Sequence, residues 1–135
     1  MNTVISNPFR DKSLNGANGL NCVFCKIAKK EIAAEILYED SDISAFKDAH
    51  PLAPVHILII PKRHIESVNN WTRSDVQLAG KMIIVAKEIA EKAGIKDSGY
   101  KLLFRVGRDG GQEVGHIHLH LLGGARLVED IHPVK

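Results

Sequence analysis

The segment "GHIHLHLLGG" alternates imidazole and aliphatic side chains without a break from His116 to Leu121. A period of two belongs to a β-strand, whose successive side chains leave on opposite faces. Ile117, Leu119 and Leu121 then need an apolar layer behind the strand, while His116, His118 and His120 share the other face. Any fold for this chain has to supply a core on one side of this strand and a polar site on the other.

Other segments read around it. "AEILYED" and "ISAFKD" are short strands flanking a turn, and "VHILIIP" is a β-branched run stopped by Pro61, the pattern of a central strand. "YKLLFRV" is a further strand, joined to "HIHLHLL" by the glycine-rich "GRDGGQEVG". "CVFCKIAKKEI" suits a short helix. The long helix is "TRSDVQLAGKMIIVAKEIAEKAG", with Thr72 as N-cap, Asp75 at capping-box spacing and Gly94 at its end. Val76, Ala79, Met82, Ile83, Ala86, Ile89, Ala90 and Ala93 recur along it at helical spacing and predict its core face. Strands, one long helix, then two more strands predict an α+β class with a mostly antiparallel sheet of about five strands and one long and one short helix.

A chain of 135 residues holds one domain. Residues 1–20, rich in Asn, Ser and Gly, read as a flexible tail, leaving 21–135 as the domain. A net charge of +2 gives no reason to expect nucleic-acid binding. No apolar run reaches the roughly 18 residues of a membrane span, and the N-terminus has no apolar signal core. The expected location is cytoplasmic, with no membrane partner. There Cys22 and Cys25 stay reduced, and the Cys-x-x-Cys poses a question of metal or packing.

Three imidazoles on one strand face support two chemistries. They can ligate zinc, or one neutral imidazole can act as nucleophile while its neighbours set its tautomer and donate to developing charge. "GRDGGQ" lets backbone N–H groups approach an anion, and Gln112 adds an amide donor. No Asp or Glu alternates with the histidines. These features tilt the choice toward phosphate chemistry.

"HIHLHLL" together with "CVFCKIAKKEIAAEILYED", "AFKDAHPLAPVHILIIPKRHI", "GYKLL" and "DGGQEVGHIHLHLLGG" resembles the histidine triad family, in its HINT branch, over roughly residues 21 to 125. The resemblance implies a homodimeric nucleotide hydrolase that cleaves P–N bonds of purine nucleoside phosphoramidates through a nucleotidyl-histidine. It implies His118 as nucleophile, with His116, His120 and His56 completing the catalytic set. Phe24, Ile27 and Phe46 would wall the base, Asp48 would hold the ribose, and Arg105, Gln112, Glu113 and Val114 would line the phosphate side. Arg105 stands where the branch usually carries Asn, and Glu113 where many relatives carry Ser or Thr. No metal is required for this chemistry. The same resemblance implies an optional structural zinc on Cys22, Cys25, His64 and His116. Two alternatives are hydrolysis of dinucleoside polyphosphates and a non-catalytic module that binds zinc or nucleotide.

Overall fold

A computed structural model describes residues 21–134, so the predicted tail 1–20 lies outside the described residues. The elements run α1 (Val23–Ala28), β1 (Ile36–Glu39), β2 (Ile43–Lys47), β3 (Val55–Pro61), α2 (Val76–Lys92), β4 (Tyr100–Phe104) and β5 (Leu119–Gly123). The five strands form one antiparallel sheet in the order β1-β2-β3-β5-β4. The "VHILIIP" run is its middle strand, buried along nearly its whole length, as its unbroken apolar character predicts.

Each sheet face has its own core. Ile43, Ala45, Ile57, Ile59, Leu119 and Leu121 pack against Met82, Val85, Ala86, Ile89 and Ala90 of α2. Truncating one of the large members to Ala would cost about 2–5 kcal/mol. On the opposite face Phe46, Leu58 and Ile60 pack against Cys22, Val23, Phe24, Cys25 and Ile27 of the α1 segment, together with Val114. A bulge between Ile36 and Tyr38 lets β1 serve both layers. Two residues apart, these should share a face, yet Ile36 joins the α1 layer and Tyr38 the α2 layer.

The long helix departs from its prediction at both ends. Thr72 and Asp75 do form a reciprocal capping box, but it closes a 3₁₀ turn over Arg73–Asp75, and the α-helix begins at Val76. Gly94 lies one residue past the C-cap Ala93, in the left-handed region at φ 78. Gly94 N–H donates to the Glu91 carbonyl and Ile95 N–H to that of Ala90, a Schellman closure that only a residue free to take positive φ completes cheaply. The core stripe is narrower than predicted. Val76 and Ile83 are exposed, at 66% and 45%, Ala93 is exposed too, and Val85 takes a core place. Ile83, between the buried Met82 and Val85, turns outward because the sheet covers only one side of the helix.

The histidine strand is also shorter than the alternation predicts. Ladder pairing starts at Leu119, so His116 and His118 sit on backbone that leads into β5. Ile117 N–H donates to the Ile65 carbonyl at 2.7 Å, which ties this lead-in to the chain after β3.

Candidate active site

Alternation still determines which way the imidazoles face. Leu119 and Leu121 join the α2 layer, which leaves His118 and His120 on the α1 face beside His56 of β3. All of His56, His116, His118 and His120 are buried. His118 and His120 have ring centroids 4.9 Å apart, and His56 and His120 5.2 Å. Phe24 stands edge-on to His118 at 5.0 Å and to Phe46 at 5.6 Å, so the α1 layer forms an apolar wall against the row. Ile27 and Val114 belong to the same apolar cluster.

The hydrogen bonds fix each imidazole's tautomer. Leu52 N–H can only donate, so Nδ1 of His56, 3.0 Å away, accepts and Nε2 carries the proton. That N–H faces Nδ1 of His120 at 3.0 Å, which therefore accepts and places the His120 proton on Nε2. Nε2 of His120 is buried and has no hydrogen-bond partner among the described residues. Nδ1 of His118 meets the carbonyl oxygen of His116 at 2.7 Å, so it carries the proton and Nε2 keeps a lone pair. Nε2 of His116 donates to the Pro61 carbonyl at 2.9 Å, leaving its Nδ1 as an acceptor.

Burial holds these rings neutral. It pushes His118 and His120 below the ordinary histidine range, and mutual repulsion among the imidazoles adds to the effect at His120. His116 is pushed down to about 4, again chiefly by burial. At His56 burial outweighs the Asp48 carboxylate, whose Oδ2 lies 3.5 Å from Nε2, so the contact is one of a neutral imidazole beside an acid. The other oxygen of Asp48 accepts from His50 N–H at 2.8 Å, the Asx turn that Asp before a proline-containing loop favours.

On the glycine loop, Gln112 commits its amide to the backbone. Its Oε1 accepts from Gly107 N–H at 3.0 Å, and its Nε2 donates to the carbonyls of Glu66 and Val114 at 2.7 and 2.9 Å. Glu113 is half-buried beside it, and Arg105, after β4, is exposed.

Cys22, Cys25, His64 and His116 form a separate cluster whose ligand atoms all lie within 4.8 Å of one another. Nδ1 of His116 is 3.3 Å from Cys22 Sγ and 3.5 Å from Cys25 Sγ, and Nδ1 of His64 is 3.3 Å from Cys25 Sγ. Tetrahedral zinc, with bonds of about 2.3 Å to sulfur and about 2.05 Å to nitrogen, separates unlike ligands by about 3.5 Å. The donor set and its spacing therefore fit zinc. Cys22 also caps α1, its sulfur accepting from Cys25 N–H. Burial, then the neighbouring Cys22, pushes the Cys25 thiol up to about 12.

A family model described as "Scavenger mRNA decapping enzyme C-term binding" matches residues 21–127. Purine nucleoside phosphoramidase of Escherichia coli K12 is 50% identical over 105 residues, 78% of this chain and 88% of that one. Protein HitA of Neisseria gonorrhoeae is 48% identical over 103 residues, 76% of this chain and 95% of its own. The chain is a histidine triad protein. A histidine triad family hydrolase from Legionella pneumophila superposes with a TM-score of 0.80 at 48% identity, covering 83% of this chain and all of that one. A histidine triad protein from Clostridium difficile superposes equally well, with a TM-score of 0.80 at 38% identity, covering 82% of this chain and 96% of its own. The expected α+β triad fold is borne out, and this triad protein is an enzyme of the hydrolase type. Among the described residues no helix is long and apolar enough to cross a membrane.

Of the residues predicted from sequence, the structure gathers His56, His118, His120, Asp48, Phe24 and Phe46 around one spot, and the two cysteines, His64 and His116 around another. Sequence reading missed the groups that orient the rings: the carbonyls of Pro61 and His116 and the Leu52 N–H. No side-chain pattern announces a backbone partner.

Proposed function

We propose that this triad protein hydrolyses purine nucleoside 5′-phosphoramidates, of the AMP–amine type, through a nucleotidyl intermediate on His118. The observation that carries the reading is the His118 tautomer. With Nδ1–H held by a carbonyl, the lone pair on Nε2 is free at neutral pH beside the apolar wall. It attacks phosphorus, the P–N bond breaks, and the departing amine nitrogen takes up a proton from solvent. Water then attacks the phosphohistidine, its oxygen bonds to phosphorus as it gives up a proton to solvent, and the Nε2–P bond breaks to return the neutral imidazole. Positive charge on the substituted His118 ring is offset by the His116 carbonyl and by the field of Asp48, which acts on this ring. The Nε2–H of His120, without a partner among the described residues, is the natural donor to a phosphoryl oxygen.

In this reading Phe24, Ile27, Phe46 and Val114 hold the base, and Asp48 the ribose. Gln112 braces the loop whose backbone N–H groups face the phosphate, and Glu113 flanks it. His56 fixes the His120 tautomer, and His116 orients His118. A zinc ion on Cys22, Cys25, His64 and His116 would rigidify the α1 layer and take no part in bond breaking, and a reducing cytoplasm would keep both thiols available to it. A homodimer would use the open edge of β4 and the exposed Ile83 and Ile84 of α2.

The test is AMP release from adenosine 5′-phosphoramidate by wild type and by His118→Asn, with trapping of a radiolabelled nucleotidyl-protein. Turnover and labelling in wild type, with neither in the variant, are expected. Turnover that survives in His118→Asn would remove the covalent mechanism.

A further inference from the structure

Arg105 is unused by the chemistry just described, and its position is unusual. Phe104 pairs with Leu119, and carrying that register one step on sets Arg105 against His118, on the imidazole face of the sheet. Its side chain runs under the glycine loop, where a Cβ on Gly111 would lie 3.7 Å from the guanidinium. It forms no ion pair with any described residue. Arg63 and Arg108 sit beside carboxylates, whereas this cation lies near the row of neutral imidazoles. Its field reaches His56, His118 and His120 and disfavours their protonation.

The sheet order gives that charge a direction. Asp48 follows β2 and Arg105 follows β4, with β3 and β5 between them. Three strand spacings of about 4.8 Å across the sheet and four residues of about 3.3 Å along it put the two on the order of 20 Å apart, on opposite flanks of His118. With the ribose at Asp48 and phosphorus at His118, the part of the substrate beyond phosphorus extends toward Arg105. A guanidinium presents a planar fork that matches carboxylate and phosphate, and one without an internal partner leaves that fork open to a ligand.

We propose that Arg105 is a specificity determinant that selects substrates whose leaving group carries its own anion. This deepens the phosphoramidase reading and rests on it. Two sources share the chemistry: an amine bearing a carboxylate, as in an amino-acid amide of AMP, and a phosphate chain, as in a dinucleoside polyphosphate. In the first the P–N bond breaks and the amine departs with its carboxylate intact. In the second a P–O bond breaks and the terminal phosphates depart. In both, the leaving group takes up a proton from solvent in the first step, and in the second water gives its hydroxyl to the phosphorus and returns a proton to solvent.

The experiment compares kcat/KM for adenosine 5′-phosphoramidates of β-alanine and of propylamine, which differ chiefly in the carboxylate, with diadenosine tetraphosphate as a third arm. Wild type, Arg105→Ala and Arg105→Lys are measured at two ionic strengths. Arg105 is exposed, so the variants should fold. The expected result is a preference for an anionic leaving group of about tenfold, the size of one charge-assisted hydrogen bond. It should vanish in Arg105→Ala, persist in part in Arg105→Lys and shrink with added salt. Whichever anionic substrate shows the Arg105-dependent advantage identifies the source. Equal rates on β-alanine and propylamine substrates, with no Arg105-dependent gain on the tetraphosphate, overturn the inference and leave the phosphoramidase reading standing. Failure of wild type to turn over any of the three overturns that reading and the inference with it.

Discussion

Replacing Cys22 by Ser separates the metal question from the packing question. Cys22 is fully buried and has two possible duties: its sulfur caps α1 through Cys25 N–H, and it lies 3.3 Å from Nδ1 of His116. Serine is itself a strong N-cap and close in size, so the helix start survives and the metal-free variant should stay within about 1 kcal/mol of the metal-free wild type. Serine is a poor zinc ligand, so the second duty is lost. If zinc binds only the folded chain, free metal at a thousand times its Kd stabilises by about 4 kcal/mol. For a domain of this size that is a rise in Tm on the order of 10–15 °C. Binding also has to displace the Cys25 proton, held at about 12 in the metal-free state, whereas Nδ1 of His116 is already a lone pair. Metal content by mass spectrometry and thermal melts with and without chelator read the outcome. Wild type should carry about one zinc per chain and lose the Tm increment on chelation, while Cys22→Ser should show neither. A wild-type melt that moves by less than about 1 °C on adding zinc, with metal well below stoichiometric, would refute the assignment of the cluster as a metal site.

Two further outcomes follow from the loop and the rings. A Cβ on Gly110 would lie 2.3 Å from the Val106 carbonyl oxygen and 2.7 Å from its nitrogen, both backbone atoms, so Gly110→Ala must shift the loop. A loss of about 2 kcal/mol in urea unfolding and a fall in kcat/KM with AMP-type substrates are expected; an unchanged rate would detach the loop from phosphate binding. His56, His118 and His120 are held below their unfolded values chiefly by burial, so the unfolded chain binds more protons once pH falls under about 6.5. Stability should be full above that pH and decline as pH falls toward the lowered folded values, by about 1.4 kcal/mol per pH unit for each such ring. A urea midpoint that rises between pH 7.5 and 5 would mean the rings are charged in the fold.

Much of this was legible in the chain because the strongest signals are periodic or compositional. The "VHILIIP" run named the middle strand, since a strand covered on both faces has no polar side to show. The His alternation named the site face even though the ladder covers only part of it. Boundaries were less legible. Val76 and Ile83 fit a helical stripe by spacing alone, and which neighbours the sheet covers is a tertiary fact. Gln112 looked like a phosphate donor because its loop is glycine-rich. Its amide is taken up instead by three backbone groups, one of them, Glu66, 46 residues away in sequence. The functional assignment of the individual residues came from resemblance, and the tautomers that give it a physical basis depend on carbonyls that no sequence pattern displays.

His116 links the two sites through opposite ends of one residue: its ring belongs to the cysteine cluster and its carbonyl holds the His118 proton. The two sites are therefore unequally free to drift. A descendant that loses Cys22, Cys25 or His64 gives up one member of the cysteine–histidine cluster while the His116 ring stays bonded to Pro61 and its carbonyl stays on His118. A change at residue 116 reaches both, because the ring that sits among the sulfurs also bonds the Pro61 carbonyl and so anchors the backbone whose carbonyl holds the His118 proton. The cluster can erode one residue at a time from its other three corners, and His116 is the corner that remains when the rest have gone.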